Sequence, residues 1–146
     1  MYLVNTRPNI CHIVHTLSQY MMEPRPVHWV AMKHVLRYLK GTVNFGLDCV
    51  RTGEIQLIGF TDSDWASIAV DRKSTYGYCF SMGSTVVSWF TKKQKSIALS
   101  STDAEYMVAS LASCEAIWHR RMLESLFGQR LRPTMIHCDN QSCVKL

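Results

Sequence analysis

The sequence is short of residues that break or staple a chain. Proline and glycine number only four and seven in 146 residues, which excludes collagen-like and low-complexity chains. A hydrophobic fraction of 47% with 18% charge also excludes a disordered tail. No long apolar run is present. The longest weakly charged stretch, Pro8 to Met22, carries two histidines, a glutamine and an asparagine, so it is no membrane span. Asn5, Arg7 and Pro8 interrupt any signal-peptide pattern. Six cysteines, at 11, 49, 79, 114, 138 and 143, form no C-x-x-C pair, and no Cys/His quartet has zinc-finger spacing. A reducing, intracellular setting with no disulfide partner is expected. There is no internal repeat.

What is present is one domain's worth of core and a mild basic excess. The net charge is +5. Residues 1–50 hold five Lys/Arg against two acids, and residues 51–146 hold eleven against nine. Such a balance is compatible with nucleic acid and equally with an ordinary solvated surface.

Along the chain, Thr6-Arg7-Pro8 reads as a helix start, followed by Ile10, Ile13, Val14, Leu17 and Met21 at helical spacing. Pro24 and Pro26 break it. A second helix begins near Val27, with Trp29, Met32, Leu36 and Leu39 as its apolar face and Gly41 as its stop. Lys33, Arg37 and Lys40 make a basic stripe, read as a solvated face. Alternation then predicts a half-buried strand over Val43, Phe45, Leu47 and Cys49 and a turn at Arg51–Glu54. A further strand over Ile55–Phe60 leads into Thr61-Asp62-Ser63-Asp64-Trp65. Residues 66–74 read as a loop. Strands at Thr75–Met82 and Thr85–Thr91 flank Gly83-Ser84, a hairpin turn. Ser100-Ser101-Thr102 opens the longest helix, whose expected core stripe is Met107, Leu111, Cys114, Trp118, Met122 and Leu126, with Gly128 as its end. Thr134–Cys138 reads as a strand entering Asp139, and Gln141–Leu146 as the start of a helix, so the chain is expected to be cut within an element.

Three acids hold unusual places. Asp62 follows an apolar strand, Glu105 lies early in the long helix, and Asp139 follows a second apolar strand. Strand ends and a neighbouring helix turn can converge on one site. Carboxylates about 4 Å apart repel by roughly 4 kcal/mol per pair at an effective dielectric of 20, so a cluster needs protons or cations. Oxygen ligands favour Mg2+ or Mn2+, and two such ions suit phosphodiester hydrolysis. Each acid also has a local alternative. Glu105 completes a Thr102-x-x-Glu105 capping box, Asp62 and Asp64 are turn formers, and Asp139-Asn140 can cap a helix.

A set of ordered motifs now stands out: Gly59-Phe-Thr-Asp-Ser-Asp-Trp-Ala66, Asp71-Arg-Lys-Ser-Thr75, Gly77-Tyr78, Ser88-Trp89, Lys92-Lys-Gln94, Ala98-Leu-Ser-Ser-Thr102, Ala104-Glu-Tyr106 and Cys138-Asp-Asn-Gln-Ser142. Together they resemble the ribonuclease H domain of copia-type retrotransposon Pol polyproteins. Thr6-Arg-Pro8 and Leu36-Arg-Tyr-Leu-Lys-Gly-Thr42 resemble the segment joining reverse transcriptase to that domain.

The resemblance implies an α/β fold: a ribonuclease H-like mixed sheet flanked by helices, incomplete at the C-terminus, in residues 43–146, preceded by a helical connection segment in residues 1–42. The implied activity is endonucleolytic hydrolysis of RNA in an RNA–DNA hybrid. Asp62, Glu105 and Asp139 match the catalytic, metal-binding acids, with Mg2+ as cofactor and Mn2+ as substitute. Gln141 matches a position that contacts the RNA strand. Asn140 and Ser142 are weaker candidates, and Lys92, Lys93 and Lys95 form a cluster suited to backbone phosphate. The implied partners are the hybrid and the reverse transcriptase portion of the same polyprotein, with no membrane; the setting is the cytoplasm, retroelement particles or the nucleus. There are departures. The family's fourth acid lies on a later element, beyond Leu146. Ala66-Ser-Ile-Ala-Val-Asp71 stands where relatives carry more aspartates, and Asp103 stands where a glutamate is usual. A catalytically inactive remnant that at most binds nucleic acid is the alternative. A hydrolase using Asp62 and Glu105 as general acid and base is a second.

Overall fold

The computed structural model describes residues 2–50, 56–64, 73–94, 96–128 and 130–145. The chain forms two compact units, residues 1–47 and 48–146. The expected turn at 51–54, most of the 66–74 loop, and Lys95 lie outside the described residues.

The first unit is helical: α1 (Tyr2–Thr6), a 3-10 turn (Pro8–Ile10), α2 (Cys11–Ser18) and α3 (Pro26–Gly41). Pro8 and Pro26 occupy first-turn positions, where a missing N–H leaves no bond unmade. Ile10, Leu17 and Val35 form the core, with Ile13, Val14, Ala31, Met32 and Leu39 packed on it. Arg7 is the strut: Nη1 donates to Thr42 Oγ1 at 3.0 Å and Nη2 to the Thr42 carbonyl at 2.7 Å. Asn9 Nδ2 donates to the Tyr38 hydroxyl. The expected inner face of α3 needs correction. Trp29 and Leu36 are exposed, and the packed face runs through Ala31, Met32, Val35 and Leu39. The Lys33 ammonium lies 5.2 Å over the Trp29 ring, so the basic stripe shields an aromatic that the core does not take.

The expected strand over Val43–Cys49 is absent: residues 45–50 carry no regular structure, and Val43, Phe45 and Leu47 are all exposed. Alternation only makes a strand where a neighbour supplies a ladder. Here the chain is held instead by single bonds, from Val50 N–H to Ser84 Oγ (3.3 Å) and from Thr85 Oγ1 to the Asp48 carbonyl (2.9 Å).

The second unit is a four-stranded mixed sheet with helices, an α/β architecture. It comprises β1 (Leu57–Asp64), β2 (Thr75–Met82), β3 (Thr85–Lys93), α4 (Ser101–Phe127), β4 (Met135–Cys138) and α5 (Gln141–Val144). The order is β3-β2-β1-β4; β1 is antiparallel to β2 and parallel to β4. The β2–β3 hairpin turns at Gly83, whose φ of 61° suits glycine. Gly59 in β1 admits another close approach: a Cβ there would stand 2.8 Å from Phe80 Cε1.

The α4 face is the main correction. The bulky stripe expected inside is outside: Leu111, Trp118, Met122 and Leu126 are exposed. The buried face is Ala104, Glu105, Val108, Ala112, Ala116, His119 and Leu123. Ala112 and Ala116 meet Leu57 and the fully buried Phe80. Small residues let the helix axis approach the sheet, and Phe80 fills the space that larger helix side chains would need. No described helix is long and apolar enough to cross a membrane.

Candidate functional site

The site forms where β4 ends alongside the C-terminal half of β1. Their parallel register pairs Gly59 with Ile136, Phe60 with His137 and Thr61 with Cys138. One step further along each strand stand Asp62 and Asp139. Thr61 Oγ1 donates to the His137 carbonyl at 3.3 Å, and Phe60 stacks on His137, so the strands are tied just before their carboxylates. Charged side chains are tolerated there because both aspartates are exposed.

Glu105 comes from α4. The helix starts at Ser100, whose Oγ accepts from Asp103 N–H at 3.1 Å, while Asp103 Oδ2 accepts from Leu99 N–H at 2.9 Å. Asp103 is thus the capping acid, and the Thr102–Glu105 capping alternative is overturned. Glu105 lies two residues beyond the capping acid and faces inward, with 4% of its surface exposed. Gln94 fixes the height of this first turn. It is buried, takes the Ser74 carbonyl with its N–H at 2.8 Å, and donates Nε2 to the Ala104 carbonyl at 3.3 Å.

Glu105, Cys138 and Asp139 each present a ligand atom, and these atoms lie within 4.8 Å of one another. Cys138 Sγ–H donates to Glu105 Oε2 at 3.6 Å. Burial pushes the Glu105 carboxyl above its ordinary value; the Cys138 hydrogen bond opposes this, the Asp139 charge adds to it, the Ser63 backbone N–H opposes it and the Asp62 charge adds to it. Asp62 therefore acts on Glu105 electrostatically but stands outside the close group of three. Burial also pushes the Cys143 thiol up, reinforced by Cys138.

A buried carboxylate crowded by two others favours a cation, so the donor set fits a divalent ion. The oxygens of Glu105 and Asp139 suit Mg2+ or Mn2+, with Asp62 as a third carboxylate nearby; the Cys138 sulfur is a soft donor that Mg2+ does not seek.

The other sequence candidates occupy the surround. Asn140 caps α5, its Oδ1 accepting from the N–H groups of Ser142 and Cys143, both at 3.0 Å. That is the capping alternative, assigned to Asn140. Gln141 and Ser142 are exposed on the first turn of α5. Lys92 and Lys93 end β3, paired with Tyr76 and Thr75, which pair in turn with Ser63 and Asp64 of β1. They share the sheet end with the acids, two strand spacings away, or about 10 Å. Sequence reasoning missed Cys138 and Gln94 as site builders. The signal for Cys138 was its place directly before Asp139; for Gln94 it was its place in the Lys92-Lys-Gln94 motif.

No protein-family model matches the chain, and no solved structure matches it significantly. Curated relatives do. Secreted RxLR effector protein 161 of Plasmopara viticola is 49% identical over 119 residues, covering 81% of this chain and 84% of that protein. The retrovirus-related Pol polyprotein from transposon RE2 of Arabidopsis thaliana is 42% identical over 145 residues, 99% of this chain. That from transposon TNT 1-94 of Nicotiana tabacum is 40% identical over 146 residues, again 99% of this chain. The chain spans 10% and 11% of the length of these two polyproteins. Over 99% of its length the chain is thus a homologue of one segment of retrovirus-related Pol polyproteins from plant transposons.

Proposed function

We propose that the second unit is a retroelement ribonuclease H-like domain that hydrolyses the RNA strand of an RNA–DNA hybrid, with Mg2+ or Mn2+ as cofactor. One observation carries the reading: the buried Glu105 carboxylate lies within 4.8 Å of the Asp139 carboxylate that follows β4, with Asp62 on the neighbouring parallel strand β1. Glu105 and Asp139 would hold the cation from α4 and β4, and Asp62 would complete the set from β1. Bound divalent ions would supply an activated water and stabilise charge on the leaving oxygen. The Ser63 N–H and the Cys138 thiol hold the Glu105 carboxylate in place before any ion arrives.

The surround fits a hybrid. Asn140 Oδ1 is engaged by two backbone N–H groups, so it shapes the α5 turn and leaves Gln141 and Ser142 free to reach an RNA strand. Lys92, exposed, and Lys93 would meet backbone phosphate, contacts that position a duplex without reading its sequence. The reverse transcriptase portion of a polyprotein would be the partner in cis.

The test is a gel assay with labelled RNA–DNA hybrid in Mg2+, then Mn2+, beside an Asp62→Asn control. Metal-dependent cleavage of the RNA strand, lost in the control, is expected. No cleavage by a folded chain, or cleavage that persists in EDTA, overturns the reading.

A further inference from the structure

The carboxylate site contains one donor that hydrolysis by hard ions does not need. Cys138 places a sulfur 3.6 Å from Glu105 Oε2, and Asp139 brings a third donor within 4.8 Å of both. Zn2+ takes sulfur at about 2.3 Å and carboxylate oxygen at about 2.1 Å; at a tetrahedral angle those two ligands stand about 3.6 Å apart. The Sγ–Oε2 pair already holds that edge. Asp139 is exposed, so its carboxylate can close the remaining distance by rotation. Cys143 is buried, and Cys138 acts on its thiol.

We propose that Glu105, Cys138 and Asp139 form a Zn2+ site that shares two carboxylates with the proposed hydrolytic centre and silences it. The ion enters as a borderline-soft cation with S and O ligands, a set that Mg2+ accepts poorly. On binding, the proton of Cys138 Sγ–H leaves to solvent, the sulfur bonds the metal, and no electron is transferred. A water fills the fourth position. The two carboxylates are then no longer free for hard ions, so Zn2+ acts as a competitive inhibitor of Mg2+. The silencing part rests on the function proposed above; the binding part does not.

The test uses the whole chain, with Zn2+ and the spectroscopic probe Co2+. In the wild-type chain, Zn2+ in the presence of excess Mg2+ slows alkylation of Cys138 by about tenfold or more, because a metal-bound thiolate is a poor nucleophile. The exposed Cys49 and Cys114, followed by mass spectrometry in the same sample, keep their rates. Co2+ gives a thiolate charge-transfer band that Cys138→Ser removes, and that variant binds Zn2+ more weakly by on the order of 100-fold. Unchanged alkylation of Cys138, or an undiminished band in Cys138→Ser, overturns the proposal. The alkylation arm needs no variant, so a folding defect in Cys138→Ser leaves the test standing. Thiol protection in a chain that cleaves no hybrid sustains the Zn2+ site and removes the hydrolytic reading; cleavage that continues while Cys138 is protected by Zn2+ overturns the silencing, and cleavage with no protection of Cys138 overturns the Zn2+ site and sustains the hydrolytic reading.

Discussion

Replacing Glu105 by glutamine should make the metal-free protein more stable. Glu105 is a carboxylate with 4% exposure, raised by burial and by the Asp139 and Asp62 charges. At the 4.8 Å outer bound of its approach to Asp139, two unit charges repel by about 3.5 kcal/mol at an effective dielectric of 20 and about 0.9 kcal/mol in water. Asp139 is exposed, which favours the lower figure. Glutamine keeps an oxygen for the Ser63 N–H but loses charge assistance, a loss of about 1 kcal/mol or less. Removing the desolvated charge adds to the gain, and the net is about 1 kcal/mol, or roughly 4–8 °C in Tm for a unit of this size. The sign follows from linkage. A carboxyl raised in the folded state binds more protons folded than unfolded, so wild-type stability falls as pH rises above 4.5 through the folded value. The advantage of Glu105→Gln should therefore be present at pH 7.5 in EDTA and disappear near pH 4. Added Mg2+ should raise the wild-type Tm and leave the variant unmoved. Melting curves at both pH values, with and without Mg2+, decide it. A variant that melts below wild type at pH 7.5 in EDTA, or gains equally from Mg2+, would refute the reasoning.

Three further outcomes are expected. Gly59→Ala puts a Cβ 2.8 Å from Phe80 Cε1 and 3.3 Å from Ile136 Cγ1, and should destabilise by about 1–3 kcal/mol because the buried ring cannot yield; an unchanged urea midpoint would count against this packing. Ala112→Leu, on the buried face of α4, should destabilise by a similar amount, whereas Trp118→Gln on the exposed face should stay within about 0.5 kcal/mol; the reverse order would place the bulky stripe inside. Burial pushes the His119 imidazole down, opposed by Glu115, so its stabilising contribution is whole above about pH 6.5 and is lost as pH falls below it. His119→Gln should flatten that part of the stability profile, read as the difference between the two chains.

Local chemistry was legible wherever the deciding partner lies near in sequence. Prolines marked the helix starts, Gly83-Ser84 marked a hairpin, and Gly128, at φ 65°, marked the end of α4. The capping of α4 is also short-range, yet Ser100 with Asp103 and Thr102 with Glu105 carry the same signature, two residues apart. Only the position of the helix against the sheet separates them. The packed faces of α3 and α4 differ from the expected ones for a related reason. Hydrophobic size marks a stripe, but a helix lying close to a sheet buries its small residues, and Ala104, Ala112 and Ala116 look weakly apolar in sequence. The Val43–Cys49 alternation shows the limit from the other side, since a strand exists only where a ladder partner is in reach.

The sequence by itself determined an α/β chain, its hairpin turn and the glycine end of α4, and the ordered acids that single out Asp62, Glu105 and Asp139. Tertiary structure alone decided that Glu105, Cys138 and Asp139 close on one another, while Asp62 acts from further off. Those distances depend on the parallel register of β1 and β4 and on the height at which Gln94 holds α4. Both are contacts between residues distant in sequence, and no local propensity encodes them.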